Sequence, residues 1–308
     1  MITIGITFCD KDYQYYDRLI NQIKERVKLP YEIIIIDNTE GNKLGDKANF
    51  AFGYNALQFA ARYKIIKMAK GDYIWFIDGD DEIVELDYIS DADIIIFDYN
   101  SEILHNDKTQ DAIYTDNFFN EDFIKNVSRT QLWNKLIKTD LYSNIDDYIK
   151  DPLMRVISLE DTYYFCLALK NAKIVETNHR VIYKHNPGLS TCKNITNEQF
   201  DFLITGYKEI MPMLKDLGVD LEDYQYDYLA GFTFDAEDSD YILKKLIGIK
   251  KDKDYWFDLY LSLYLKNQSI RQVYLDAFGE VPKNKYVVHY PDGREEVRYQ
   301  EYQIVKIN

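Results

Sequence analysis

Cysteine is scarce in this chain, and Cys9, Cys166 and Cys192 lie far apart. Such spacing supports neither a disulfide framework nor a zinc pattern, so a reducing compartment is expected. Positive charge is also in deficit: 37 Lys and Arg stand against 52 Asp and Glu, a net charge of −15. A non-specific grip on nucleic acid needs clustered basic residues, so no strong nucleic-acid signal is present, although a local basic patch stays open. The local run Lys244, Lys245, Lys250, Lys251 and Lys253 reads as a solvated helix face and loop. Apolar runs such as Ile33 to Ile36 and Ile94 to Phe97 are far too short to span a bilayer. Strand-like sequence starts at Ile2, where a signal peptide would otherwise stand, so a soluble, cytoplasmic protein is expected. After the first strand comes Cys9-Asp10-Lys11-Asp12, not a Gly-rich dinucleotide fingerprint, and no phosphate loop ending in Gly-Lys-Ser/Thr occurs. Any phosphate chemistry is therefore expected to rely on a metal.

What the chain does contain is an alternation of buried-strand and helix patterns. Thr3 to Phe8 is β-branched and free of charge, and Tyr31 to Asp37 is apolar on both faces. Strands of that kind belong to parallel sheets covered by helices. Helices are expected over Asp12 to Val27 and over most of Ala48 to Ala69, with further strands over Tyr73 to Ile77 and Asp93 to Asp98. Trp133 to Leu141 and Glu160 to Lys170 read as helices, Arg180 to His185 as a strand, and Glu198 to Phe278 as several aromatic-rich helices. Lys285 to Tyr290 and Arg294 to Ile307, joined by Pro291-Asp292-Gly293, carry a hairpin signal. The expected organisation is a doubly wound α/β domain over 1–195, a helical module over 196–283 and a β-hairpin tail over 284–308.

The stretch Gly71-Asp72-Tyr73-Ile74-Trp75-Phe76-Ile77-Asp78-Gly79-Asp80-Asp81-Glu82 drives a buried strand straight into four carboxylates. Like charges so close are costly unless a cation holds them. An EF-hand starting at Asp78 would need Gly at its sixth position and Glu at its twelfth, and Ile83 and Ile89 stand there. A solvated acidic turn is one remaining reading. The other is a metal site that neutralises a departing diphosphate.

The ordered motifs resemble family 2 glycosyltransferases, GT-A-fold enzymes that use nucleotide-diphosphate sugars. The resemblance rests on Ile33 to Thr39, Ala61-Arg62 with Ala69 to Ile74, and Asp78-Gly79-Asp80-Asp81, followed by Leu132-Trp133-Asn134-Lys135-Leu136, Glu160-Asp161 and Tyr183 to Ser190. It covers roughly residues 1 to 192. It implies a GT-A-type, Rossmann-like, mostly parallel sheet flanked by helices, and a metal-dependent transfer from a nucleotide sugar, a UDP-sugar foremost, to a glycan or other hydroxyl acceptor. Thr7, Asp37, Asn38, Arg62 and Asp78 would bind the nucleotide. Asp80 and Asp78 would hold Mn2+ or Mg2+, with Asp81 a substitute ligand and His185 a third. Asp161 would be the base of an inverting displacement, and Trp133, Glu160 and Lys184 would touch acceptor or diphosphate.

Departures from the family pattern are Asn38 in place of a second acid, Tyr63 in place of Asn, and Ile65 in place of Gly. The bland reading of Glu160-Asp161 is a pair of acids favoured by a helix dipole. For Trp133 and for Tyr224 to Tyr228 it is core packing. Beyond residue 196 the chain is expected to bind acceptor or to form a homo-oligomer. The competing expectation is a catalytically silent GT-A-fold protein for carbohydrate binding or assembly.

Overall fold

The computed structural model describes the chain except residues 55, 102–109, 155, 157–158, 187–194, 232–237, 251–269, 280–282, 290–294 and 302–308. The chain forms two compact units, one of Met1–Thr191 with Phe202–Gln225 and one of Cys192–Asp201 with Tyr226–Asn308.

In the first unit, β1 (Ile2–Phe8), α1 (Tyr16–Arg26) and β2 (Tyr31–Asp37) lead to β3 (Phe50–Ala51), α2 (Leu57–Met68), β4 (Tyr73–Asp78) and β5 (Glu82–Ile83). Then come β6 (Ile94–Ser101), β7 (Ala112–Tyr114), α3 (Glu121–Phe123), β8 (Lys135–Lys138), α4 (Ile145–Tyr148), α5 (Glu160–Asn171) and β9 (Val175–His185). The sheet order is β3-β2-β1-β4-β8-β6-β9-β5, with β7 pairing β9. Strands β1, β2, β3 and β4 are mutually parallel, as are β6 and β9, while β8 runs antiparallel between β4 and β6. Strands β5 and β7 also run against β9. The sheet is thus mostly parallel but mixed.

Every residue of β1 is buried, which explains its charge-free sequence. Ile2, Ile4, Ile6 and Phe8 join Leu19 and Ile23 of α1 and Trp75 and Ile77 of β4 in one cluster. Each such aliphatic side chain contributes roughly 1.5–3 kcal/mol by leaving water. On the other face, β1 and β2 pack against α2. Gly5 leaves room there for the Ile65 side chain, which a Cβ would strike.

The helix expected over Trp133 to Leu141 is instead a turn, the strand β8 and a 3-10 turn over Thr139–Tyr142. The one expected from Ala48 starts only at Leu57, after β3. Burial overrode periodicity in the first case: Lys135, Leu136 and Ile137 are buried between β4 and β6.

Helix α6 (Asn197–Leu217) is followed by α7 (Glu222–Gly231), α8 (Ser239–Ile249), α9 (Ile270–Phe278) and the antiparallel hairpin β10 (Lys283–His289) and β11 (Glu295–Glu301). In the second unit, the fully buried Tyr226 hydroxyl donates to Leu246 O at 2.7 Å. Lys245 pairs with Asp201 at 2.9 Å. Lys251 and Lys253 of the basic run, and the Pro291-Asp292-Gly293 turn, lie outside the described residues.

Candidate active site

The parallel strands end together, and their carboxyl ends carry Phe8, Asp37, Asp78, Ser101 and His185. Ligands of open α/β sheets bind at that edge. Thr7 is buried and lies in register with Asp78.

On the β2 side the polar groups are engaged internally. Asp37 is fully buried, and its Oδ1 accepts from Thr39 N at 3.0 Å and from Thr39 Oγ1 at 2.6 Å. Its Oδ2 accepts from Leu44 N at 2.8 Å. Asn38 Oδ1 accepts from Ala56 N at 2.7 Å. These acceptors shape the loop after β2, where the resemblance implied contacts with base and ribose.

Asp78 and Asp80 are different. Asp80 is half-buried, and its carboxyl pKa is pushed up to about 6 by burial and then by Asp78. The charges of Arg18 and Lys11 only partly oppose this. Arg18 reaches main-chain oxygens, donating to Asp80 O at 2.7 Å and to Asp81 O at 3.1 Å. A third acid faces this pair. Asp12 is buried, and its pKa is raised to about 7 by burial, with Asp80 and Asp78 adding to the rise. Asp12 Oδ2 accepts from Cys9 Sγ at 3.1 Å, and its Oδ1 accepts from Cys9 N. The close fit explains Gly79, where a Cβ would lie 2.6 Å from the Phe8 ring and 3.1 Å from the Asp12 carboxyl carbon.

Asp81 does not point with its neighbours. It is buried, and its two oxygens accept from Tyr183 Oη and Asn186 N, each at 2.6 Å. Burial first, then the charges of Asp78 and Asp80, holds its carboxyl well above the usual range.

Arg62, implied to sit at the nucleotide, is buried among carboxylates. Its Nη2 lies 3.4 Å from Asp78 Oδ1 and its Nη1 lies 2.9 Å from Glu160 Oε1, and it also pairs with Asp161. One guanidinium therefore ties the end of β4 to the first turn of α5. Burial pushes the Glu160 pKa up, against the pull of Arg62. Leu159, just before α5, has a left-handed backbone at φ 71. Such a conformation costs a non-glycine residue about 1 kcal/mol or more and is held by its surroundings.

Trp133 is core. Its ring stacks on Tyr183 at 4.8 Å and on His185 at 5.7 Å, and Tyr99 meets it edge-on at 4.6 Å. Its carbonyl accepts from Trp75 Nε1 at 2.6 Å. His185 Nδ1 lies 3.4 Å from Ser101 Oγ, and burial lowers its pKa although Asp78 opposes this. Lys184 is exposed and pairs with Glu82 at 3.4 Å.

The structure thus gathers Asp78, Asp80, Arg62, Glu160 and Asp161 at one edge, with Thr7 beside them. Among the described residues, no group of three or more His, Cys, Asp or Glu converges to hold an ion unaided. Sequence reading missed Asp12 and Arg18 as parts of this edge, and placed Tyr183 in a motif without giving its hydroxyl a role. Gly79 between two acids was the one signal of close approach; nothing linear marked Arg18.

No family model matches the chain, and no curated protein sequence does. Solved structures do. S. aureus TarS 1–349 in complex with UDP-GlcNAc matches with a TM-score of 0.55 at 14% identity, over 97% of this chain and 97% of that chain. The same protein in complex with UDP matches with a TM-score of 0.51 at equal identity and coverage. A longer TarS structure matches at 0.51 and 15% identity, over 97% of this chain and 60% of that chain. Across so little sequence identity it is the backbone that is shared, and this chain has a GT-A-like glycosyltransferase fold.

Proposed function

We propose that the protein is a glycosyltransferase that moves a sugar from a nucleotide-diphosphate donor, a UDP-sugar foremost, to an acceptor hydroxyl with inversion. One observation carries the reading: Arg62 draws Asp78 and the Glu160-Asp161 pair around a single guanidinium. The strand-terminal acids and the candidate base therefore share one edge of the sheet. The TarS complexes with UDP and UDP-GlcNAc support the choice of donor.

A divalent cation fits the donor set. Asp80 is held above its ordinary pKa by burial and by Asp78, so the acids carry charge that the protein answers only in part. Hard carboxylate oxygens suit Mg2+ or Mn2+, which complete their shells with substrate phosphates. Asp78 and Asp80 would hold it together with the phosphates of the donor. The imidazole of His185, kept neutral by burial, would join them only on donor binding, since no three such groups converge among the described residues. When bound, the ion neutralises charge developing on the diphosphate.

The remaining chemistry belongs to the chain. Asp161 accepts the proton of the acceptor hydroxyl, whose oxygen attacks the anomeric carbon as the carbon–oxygen bond to the diphosphate breaks. The electron pair leaves with the diphosphate, and a single displacement inverts the centre. Arg62 pairs with the Asp161 carboxylate and orients it, and Glu160 shares that cation.

The test is turnover of a panel of nucleotide sugars with and without Mn2+. Metal-dependent release of nucleoside diphosphate by the wild type, lost in Asp161→Asn, supports the proposal. Inertness across the panel, together with absent UDP binding, would overturn it in favour of a silent carbohydrate-binding protein.

A further inference from the structure

We propose that Asp81 is a positioning residue, not a metal ligand. It fastens the end of β9 to the acidic loop and so fixes His185 relative to Asp78 and Asp80. The proposal rests on the functional reading above for its consequence in catalysis, but its geometry stands alone.

Strands β4 and β9 are not neighbours, because β8 and β6 lie between them. At about 4.8 Å per strand, three steps separate their axes by roughly 14 Å. Acids at the end of β4 and an imidazole at the end of β9 therefore meet only if the loop after β4 crosses that gap and is held there. Asp81 is where it is held. Tyr183 Oη donates to Asp81 Oδ2 at 2.6 Å and accepts from Asp78 N at 3.2 Å. Asn186 N donates to Asp81 Oδ1 at 2.6 Å, and Asn186 Nδ2 donates to Asp80 O at 3.4 Å. The next two residues, Glu82 and Ile83, pair with Lys184 and Tyr183. On the far side, Arg18 grips the carbonyls of Asp80 and Asp81.

Both Asp81 oxygens are thus already engaged by donors, and an ion drawing on them would have to break two short bonds. The carboxylate of Asp80 is met only by its own backbone N–H, and no group of β9 reaches it among the described residues. Adjacent acids therefore divide the labour: Asp80 faces the ligand and Asp81 builds the seat. Tyr183 is also the ring that stacks on Trp133, which in turn carries His185. The fastening reaches the imidazole through Tyr183 and Trp133 as well as along the chain.

The test compares Asp81→Ala, Asp81→Asn and Tyr183→Phe in the full chain, with Asp80→Ala as control. Two measurements are made. The first is hydrogen exchange at the Asn186 amide without metal. The second is Mn2+ affinity in the presence of UDP, read by electron paramagnetic resonance.

Loss of both acceptors should speed Asn186 exchange and weaken Mn2+–UDP binding about tenfold in Asp81→Ala. Asp81→Asn should stay within about threefold of wild type on both, because an amide can still accept from Asn186 N–H and donate to the Tyr183 oxygen. Tyr183→Phe should fall between them. An Asp81→Asn protein as damaged in Mn2+ affinity as Asp81→Ala would show that charge is needed, and would overturn the proposal. Unchanged Asn186 exchange in Asp81→Ala would overturn it as well. Should Asp81→Ala not fold, Asp81→Asn and Tyr183→Phe carry the same comparison. Mn2+–UDP binding untouched by Asp80→Ala would instead sink the metal reading of the site, while the exchange measurement still decides the role of Asp81.

Discussion

The ends of β2 and β4 each carry a carboxylate at the same edge of the sheet, yet the protein treats them in opposite ways. Asp37 has three donors around two oxygens, all supplied by the seven residues that follow it. Asp80 is met only by its own backbone N–H and by the charges of Arg18 and Lys11, and burial with Asp78 alongside still raises its pKa to about 6. A carboxylate answered by its own loop holds shape. One left with unanswered charge, next to another acid, costs stability until something positive arrives. On the proposed function the second arrangement is kept for a cation, so an acidic strand end is informative only once its donors are counted.

The largest break in this comparison is expected at Asp80. Asp80→Ala should reduce metal-dependent turnover about a thousandfold or more, since several kcal/mol of charge stabilisation is lost, while the thermal midpoint holds or rises. A falling midpoint would place Asp80 with Asp37 as a shape-holding acid. Next is Asp161→Asn, expected to lower kcat on the order of a hundred- to a thousandfold through loss of the base. Calorimetry should find UDP affinity retained; a matching drop in affinity would mean that Asp161 serves the donor instead.

Asp37→Ala should behave in the opposite sense. Leaving buried donors unpaired should destabilise the fold by about 2–3 kcal/mol in urea titrations. The surviving folded fraction should keep its turnover per molecule, and its loss would return Asp37 to the donor site.

The smallest effect concerns Lys135, a buried amine with no carboxylate partner among the described residues. It donates to Asn134 Oδ1 at 2.8 Å and to Gln131 O, and sits over the Phe165 ring. Burial lowers its pKa well below the usual lysine value. The unfolded chain then binds the extra proton, so stability should rise with pH up to the unfolded value of about 10.4, by at most about 1.4 kcal/mol per pH unit. Lys135→Met should flatten that rise in denaturation curves at pH 7, 8 and 9. An unaltered slope would mean the amine keeps its charge when buried.

Much of the first unit was legible because its strands are so apolar. β1 is a charge-free run, β2, β4 and β6 each hold an apolar run (Ile33 to Ile36, Tyr73 to Ile77, Ile94 to Phe97), and Asp78 and Asp80 follow one of them. Strand β8 did not. Trp133, Leu136, Ile137 and Leu141 follow helical spacing, and a lysine in their midst suggests a solvated face, whereas Lys135 points into the core. The partners of Arg62 were equally hidden, since Glu160 lies 98 residues away and only the fold joins them. Asp81 was read with its neighbours because a run of acids looks uniform in one dimension. Tyr183 and Asn186, more than a hundred residues on, decide its orientation.

Strand β9 has a consequence for how the chain is made. It is the shared partner of β5, β6 and β7, all of which precede it in sequence. A nascent chain that has not yet emerged through His185 exposes one whole side of β6, an apolar strand with unpaired main-chain groups. Long-range parallel pairing is slow, and open edges invite pairing with other chains. Products truncated before residue 175 are therefore expected to aggregate, and synthesis of the full chain to gain most from chaperones just before β9 appears.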